Sequence, residues 1–493
     1  MSLINVENLT FAYDGSYDCI FENVSFRIDT DWKLGFIGRN GRGKTTFLKL
    51  LMGCYEYRGK ISSSVNFEYF PFDIQNPEDI TLDIAENICP AVEQWELIKE
   101  LNFLNMDAEV LYRPFCTLSN GERTKVMLAM LFLKENSFLL IDEPTNHLDS
   151  EGRKTVSRYL DRKKGFILVS HDRTVLDSCV DHILSVNRTD IVIEKGNYSS
   201  WEHNKNLRDN FEISQNKKLK REIQTLEEAA SRASAWSDKT EKGKYGKQRS
   251  GLKADRGFVG HKAAKMMSRS KAMEKRQLAA AEEKSKLLKN IETADSLKIP
   301  CLKFHASRLV TVENVSVSYG GKSVCSGISF TVEKGERILL SGANGCGKSG
   351  ILKLICAERI PHTGRIVING QLKISYVQQD FSGISGDLSD YAAERRIDES
   401  LFKAILRKLG FSREQFSKRI ENFSGGQKKK VLIAASLCTP AHLYVWDEPL
   451  NFMDINSRLQ IEELIKEFSP TMIFAEHDMA FQKEIATKTV EFG

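Results

Sequence analysis

Two lysines, each near the end of a glycine-rich octet, mark where phosphate chemistry could be built. Gly38-Arg39-Asn40-Gly41-Arg42-Gly43-Lys44-Thr45 and Gly342-Ala343-Asn344-Gly345-Cys346-Gly347-Lys348-Ser349 both fit G-x-x-x-x-G-K-[ST] between an apolar strand and a helix. The glycines let backbone N–H groups converge on phosphate oxygens, and the helix N-terminus adds positive dipole. Lys44 and Lys348 supply point charges for the β- and γ-phosphates. The hydroxyls of Thr45 and Ser349 suit Mg²⁺, and Thr46 continues the first phosphate loop.

Each loop is followed by an apolar strand ending in two acids, Phe138-Leu139-Leu140-Ile141-Asp142-Glu143 and Leu443-Tyr444-Val445-Trp446-Asp447-Glu448. Strand C-termini are where ligands bind in open α/β sheets. Asp142 and Asp447 can hold Mg²⁺, while Glu143 and Glu448 are placed to orient or deprotonate an attacking water. A further apolar strand, Gly165 to Ser170, ends at His171-Asp172, and its repeat is Glu476-His477-Asp478. His171 and His477 could sense or polarise a γ-phosphate. Tyr376-Val377-Gln378-Gln379-Asp380 carries a glutamine suited to Mg²⁺ or water. Glu68-Tyr69-Phe70-Pro71-Phe72-Asp73 puts Phe72 at that position, so the two sites are not expected to work at equal rates.

Leu118-Ser119-Asn120-Gly121-Glu122-Arg123 opens a helix expected over Thr124 to Lys134, with Ser119 as N-cap, and Phe423-Ser424-Gly425-Gly426-Gln427 is its counterpart. A phosphate loop, this signature, an Asp-Glu strand and a switch histidine, in that order and twice over, identify the chain as resembling the ABC-type ATPases. The resemblance implies ATP and Mg²⁺ as cofactors and head-to-tail pairing of the halves. Lys44 and Glu143 would then work with Ser424 and Gly426, and Lys348 and Glu448 with Ser119 and Gly121. Tyr13 and Tyr319 would stack on adenine. Asn120 and Glu122 depart from the usual Leu-Ser-Gly-Gly-Gln. The bulk of Asn120 bears on how tightly the site facing it closes.

These residues need elements to hold them. At 493 residues the chain exceeds what one core usually serves. The expectation is an α/β protein with two tandem P-loop ATPase domains, 1–200 and 308–493, joined by an antiparallel α-helical hairpin over 201–307. Opening strands are expected over Leu3–Tyr13, Val24–Ile28 and Leu309–Tyr319. No apolar run approaches a membrane span, Val126 to Leu133 being the longest, and no secretory signal is visible. Ten cysteines without a Cys-x-x-Cys pair read as buried thiols of a reducing cytosol rather than a zinc site.

The middle carries the charge. Residues 201–307 hold 25 Lys or Arg against 14 Asp or Glu, an excess of 11, while the whole chain is only +5; the rest is therefore net −6. Leu219, Ile223, Leu226, Ala230 and Ala233 recur at helical spacing, as do Met266, Met273, Ala280, Leu287, Ile291 and Ala294. Two helices of about 35 residues, each reaching about 50 Å, are expected. At the tip, 242–260, five glycines accompany basic, aromatic and apolar residues. Lys244, Tyr245, Lys247, Arg249, Lys253, Arg256, Phe258 and Lys262 can neutralise phosphate or stack on bases, so RNA contact is expected there.

Asp142-Glu143-Pro144-Thr145-Asn146-His147-Leu148-Asp149, duplicated ATPase halves and a charged helical linker together resemble the ABC-F proteins. Trp32 to Thr45, Leu111-Tyr112-Arg113-Pro114-Phe115 and Trp446-Asp447-Glu448-Pro449-Leu450-Asn451 look most like the Lsa-type resistance group. That resemblance implies a cytoplasmic monomer whose halves pair within one chain and which has no stable membrane partner. Its partner would be the E site of the bacterial 70S ribosome. The linker would reach 23S rRNA, the peptidyl-transferase centre and P-site tRNA, and lincosamides, pleuromutilins and streptogramin A would be dislodged. A housekeeping ABC-F translation factor and the ATPase subunit of a membrane transporter are the alternatives.

Overall fold

The computed structural model describes residues 2–13, 19–90, 92–146, 148–187, 190–243, 265, 268–269, 271–273, 275–276, 299–302, 304–319 and 322–492. The chain divides into Met1–Trp201 with Asp295–Gly493 as one unit and Glu202–Ala294 as the other.

In the first unit each half pairs an antiparallel sheet with a parallel one. Strands β1 (Leu3–Phe11), β2 (Phe21–Asp29) and β4 (Arg58–Ser62) form a three-stranded sheet in the order β2-β1-β4. The second sheet runs β5 (Asn66–Phe70), β6 (Ser137–Asp142), β7 (Phe166–Val169), β3 (Lys33–Ile37), β8 (His182–Asn187), β9 (Asp190–Lys195). Its pairings are parallel except β8 with β9. The second half repeats the plan. Strands β10 (Arg308–Tyr319), β11 (Lys322–Glu333) and β13 (His362–Ile368) are ordered β11-β10-β13. Strands β12 (Arg337–Ser341), β14 (Ile374–Val377), β15 (Leu443–Asp447), β16 (Met472–Ala475) and β17 (Lys488–Glu491) follow the order β14-β15-β16-β12-β17.

Strand alternation builds two cores per half. On β6, Phe138 and Leu140 pack with Phe47 and Leu48 of the helix Lys44–Leu51, under the antiparallel sheet. Leu139 and Ile141 face the other way, onto Val126, Leu128 and Met130 of the helix Asn120–Phe132. A period of two gives each face its own set. A sheet covered on both faces accounts for the unbroken apolar runs in the sequence. Truncating a fully buried residue such as Phe138 to alanine costs about 3–5 kcal/mol.

Several expectations shift. β2 begins at Phe21 rather than Val24, and the signature helix is Asn120–Phe132 rather than Thr124 to Lys134. All ten cysteines are free, but only Cys89, Cys179, Cys325 and Cys438 are buried; Cys19, Cys54, Cys116 and Cys301 are exposed. The expectation of buried thiols is corrected to that extent.

The helix leading into the second unit runs Tyr198–Gly243, 46 residues, which is about 70 Å at helical rise and longer than expected. Leu219, Ile223 and Leu226 are half-buried while their neighbours Lys218, Lys220 and Thr225 are exposed; the side chains of Ala230 and Ala233 lie outside the description. The described positions between 265 and 276 are helical. Residues 244–264, with the expected RNA contacts Lys244, Tyr245, Lys247, Arg249, Lys253, Arg256, Phe258 and Lys262, lie outside the described residues. No helix among the described residues is long and apolar enough to cross a membrane.

Candidate active site

Two cavities form between the halves, each completed by both. One, of about 420 Å³, is lined by Tyr13, Asn40, Gly41, Gly43, Lys44, Thr45, Thr46, Asp142, Glu143 and His171, and across from them by Ser424, Gly425, Gly426 and Phe452. The other, of about 1140 Å³, is lined by Asn344, Gly345, Gly347, Lys348, Ser349, Gln379, Glu448 and His477, facing Ser119, Asn120, Gly121 and Glu122. The two phosphate loops thus face opposite signatures, and the wider cavity is the one facing Asn120. Arg39 and Arg42 line a small recess beside the first cavity, against Lys430 and Asp454.

The phosphate loops are near copies. Gly43 and Gly347 sit at φ 85° and 93°, and a Cβ there would meet Ile20 at 2.4 Å and Cys325 at 3.0 Å. Each lysine is held by its own loop. Lys44 Nζ donates to the carbonyls of Gly38 (2.7 Å) and Arg39 (3.3 Å). Lys348 Nζ donates to those of Gly342 and Ala343, both at 2.8 Å, and lies 3.9 Å from Cys346 Sγ. Burial lowers the Lys44 ammonium below its ordinary value, against the pull of Glu143, Asp454 and Asp142.

Both signatures begin with a capping box. Ser119 accepts from Glu122 N and Glu122 returns the bond to Ser119 N; Ser424 and Gln427 do the same. Glu122 therefore serves the cap as Gln427 does, satisfying two helix-end donors. Gly426 has little room: a Cβ would stand 2.3 Å from the Phe452 carbonyl and 3.1 Å from Asn40 Nδ2. Asn40 Nδ2 donates to that same carbonyl at 3.0 Å, joining the first phosphate loop to the second half.

The paired acids end β6 and β15. Glu143 and Glu448 are left-handed, φ 51° and 45°, a conformation held by Glu143 N donating to Val169 O and Glu448 N to Ala475 O, both 2.9 Å. Strained backbone of this kind persists where surrounding bonds fix it. The carboxyls then differ. Glu448 Oε2 accepts from Gln379 Nε2 (2.9 Å) and Asn451 Nδ2 (2.6 Å), and His477 Nε2 is 3.6 Å from Oε1. Burial pushes Glu448 up, but His477, Gln379 and Lys348 outweigh it and leave the group below its ordinary range. Among the described residues no side-chain amide bonds to Glu143, and Phe72 packs against the core instead. Its nearest partner is His171 Nε2 at 3.3 Å. Burial, then the Asp142 charge, raises Glu143 to about 8. Burial also drives His171 well below the imidazole range, helped by Lys44 and Arg458. A neutral Nε2–H tautomer donates to Asn40 Oδ1, 3.0 Å away.

The donor sets fit a divalent cation. Both oxygens of Asp447 are buried without a hydrogen bond of normal geometry among the described residues, and burial raises the group to about 6. Lys429 and Lys348 act on this carboxylate from nearby, and with the Ser349 hydroxyl it offers oxygen donors of the kind a Mg²⁺ takes. In the first half Asp142 Oδ2 accepts from Thr45 Oγ1 (2.8 Å) and from Tyr69 OH (3.0 Å). The Tyr69 bond was not foreseen, although aligning Glu68-Tyr69-Phe70-Pro71-Phe72 with Ser375-Tyr376-Val377-Gln378-Gln379 shows a tyrosine at the same register. Tyr13 OH bonds to Thr46 Oγ1 at 2.7 Å, and its ring stands edge-on to Phe11 and Tyr55, 43% exposed at the cavity. β10 ends at Tyr319, whose side chain lies outside the description.

With this geometry in hand, the profile of the family described as ABC transporter matches residues 21–146 and 325–451, just over half the chain. The chain belongs to the ABC transporter family. Its two ABC domains bind ATP and the protein is an ATP hydrolase. Among similar proteins, the ATP-binding protein Uup of Buchnera aphidicola is 27% identical over 99% of this chain and 80% of its own length. The ribosome protection protein VmlR of Bacillus subtilis is 26% identical over 95% and 83%. The energy-dependent translational throttle protein EttA of Escherichia coli is 26% identical over 96% and 89%. Among solved structures, the archaeal ribosome recycling factor aABCE1, crystallised with the stalk protein aP1, superposes with a TM-score of 0.62 at 19% identity. It covers 98% of this chain and 87% of that one, a likeness of fold alone.

Proposed function

We propose that this protein is an ABC-F ATPase of the cytoplasm. In this reading it binds the bacterial 70S ribosome at the E site and protects it from peptidyl-transferase-centre antibiotics, and ATP hydrolysis drives its release. One observation carries the reading. The likeness to VmlR spans 95% of the chain, so it runs through the basic middle segment as well as both ABC domains. Polyanion contact fits a segment with an excess of 11 positive charges in a chain otherwise net negative. The partners would be 23S rRNA and P-site tRNA.

At each site Mg²⁺ would be held by Thr45 and Asp142, or by Ser349, Asp447 and Gln379, and when bound it supplies charge neutralisation at the β- and γ-phosphates. Lys44 and Lys348 exchange their loop carbonyls for phosphate oxygens. Glu143 and Glu448 hold the attacking water and take its proton. His171 and His477 polarise the γ-phosphate. Ser424 and Gly426, and Ser119 and Gly121, close the sites from across. Both halves being in one chain raises their effective concentration for closure.

The test is sedimentation of Glu143→Gln/Glu448→Gln with 70S ribosomes and ATP. The double variant should pellet with ribosomes, and expression of the unaltered chain should raise tolerance to lincosamides and pleuromutilins. A protein that stays in the supernatant ends the ribosome reading. EttA matches as well as VmlR does and favours a second reading, a translation factor without a drug phenotype. Ribosome binding with unchanged drug susceptibility would decide for it.

A further inference from the structure

A lysine at the second ATP site is used by none of the steps above. Lys429 lies on the helix Gly425–Cys438, two residues beyond the signature, and is 1% exposed. Burying an ammonium is costly unless it is paired and hydrogen-bonded. Its Nζ donates to the Gln378 carbonyl at 3.1 Å and stands 5.9 Å from the centre of the Phe381 ring. It therefore holds the chain on both sides of Gln379. The acids Asp447, Glu476, Glu448 and Asp380 surround it and favour its charge against the pull of burial.

The two halves supply a control. Aligning Ser119-Asn120-Gly121-Glu122-Arg123-Thr124 with Ser424-Gly425-Gly426-Gln427-Lys428-Lys429 puts Thr124 opposite Lys429. Thr124 Oγ1 turns back to the Asn120 carbonyl at 2.9 Å, within its own helix. In that half Phe72 stands where Gln379 does, and no side-chain amide among the described residues bonds to Glu143. The buried lysine and the glutamine occur together in the second half and are both missing from the first.

We propose that Lys429 is a positioning residue of the Lys348–Glu448 site. Its ammonium fixes the Gln378 carbonyl so that the Gln379 amide stays on Glu448 Oε2, 2.9 Å away. The carboxylate is thereby turned toward the attacking water. Lys429 lines the same cavity, but its ammonium is taken up by the Gln378 carbonyl; it acts through Gln379. The inference rests on the proposed role of Glu448.

The experiment uses the full chain, unaltered and as Glu143→Gln, so that hydrolysis in the second case reports the Lys348–Glu448 site. Lys429→Met should lower kcat about ten- to a hundredfold, the scale of a misplaced catalytic group, with the KM for ATP nearly unchanged. Lys429→Arg should restore most of the rate. Gln379→Ala/Lys429→Met should be no slower than Gln379→Ala alone, which separates positioning from general damage to the helix. The proposal is overturned if Lys429→Met keeps its kcat, if KM rises and the thermal midpoint falls with no rescue by arginine, or if the two losses multiply. Glu448→Gln in the same background tests the underlying reading separately. Retained hydrolysis there would remove Glu448 from its role, whatever Lys429 does.

Discussion

Cutting one contact between the halves should reveal how far their pairing is built in. Arg173 follows the switch residues His171 and Asp172, and its guanidinium crosses to Glu462 on the helix Ile455–Phe468 of the second half. Nη1 donates to Oε2 at 3.2 Å, and Nη2 to Oε1 in a shorter contact, a bidentate pair buried at both ends. Aligning the halves places Met479 at the position of Arg173 and Ser157 at that of Glu462, so the pair has no mirror image. Removing one partner of a buried pair strands the other at about 3–5 kcal/mol, while replacing both with neutral residues is often close to neutral. Glu462→Ala belongs at the lower end, because Asp478 also favours the Arg173 charge. Arg173→Met strands a carboxyl that burial already raises above its ordinary value. Taking up a proton relieves it, so this cost should be larger at pH 8 than at pH 5. If each half melts as one body of about 200 residues, either single change lowers the thermal midpoint by roughly 6–20 °C. Arg173→Met/Glu462→Ser, which copies the mirror position, should recover most of that loss. Differential scanning calorimetry without nucleotide is the assay. Single changes worth no more than an exposed surface pair, about 0.5 kcal/mol, or a double equal to the sum of its singles, would refute the reasoning.

Glu448→Gln leaves the Glu143 site to report. Since kcat/KM follows the free enzyme's groups, it should climb about tenfold per pH unit below 8 as Glu143 gives up its proton, then level. Glu143→Gln, reporting Glu448, should be flat from pH 6 upward; matching profiles would contradict the assignment. Gly426→Ala puts a methyl against the Phe452 carbonyl and should weaken ATP-dependent closure of the Lys44 site, read as a loss of nucleotide trapping in the Glu143→Gln/Glu448→Gln chain; unchanged trapping would show that the contact yields. Shortening Lys244 to Gly260 should abolish the proposed ribosome protection while ATP hydrolysis survives, and equal loss of both would make the segment mere scaffold.

The phosphate loops, paired acids, signatures and switch histidines were legible because each is contiguous. A loop whose backbone must wrap one phosphate needs its glycines at fixed spacing, and that spacing is the motif. The composite arrangement followed from family resemblance, not from spacing. Phe72 could also be read from the sequence, because it breaks a repeat at a known position. Element edges shifted by a few residues: the Ser119 cap, not the apolar pattern, starts the signature helix at Asn120. The linker helix begins at Tyr198 and extends to Gly243, ten residues beyond Ala233, the last position of its apolar seam in the sequence.

What sequence could not show is the wiring between distant positions. Arg173 and Glu462 are 289 residues apart, and nothing in either local pattern depends on the other. Nothing in the run Lys428-Lys429-Lys430 singles out one lysine, yet Lys429 and Lys430 are both buried, the second bonded to Asp454 at 2.7 Å. A lysine run is ordinarily a solvated face, and here only the fold assigns each ammonium its acceptor. The same distinction explains why the duplicated sites differ. The motifs specify equal machinery, but Phe72 for Gln379, Thr124 for Lys429 and the Tyr69 bond to Asp142 give the first site a carboxyl that burial keeps protonated near neutral pH. The second has one that an amide, an imidazole and a buried ammonium help keep ionised and directed. If that contrast governs turnover, the Lys348–Glu448 site is the faster at pH 7, and the Lys44–Glu143 site holds nucleotide longer.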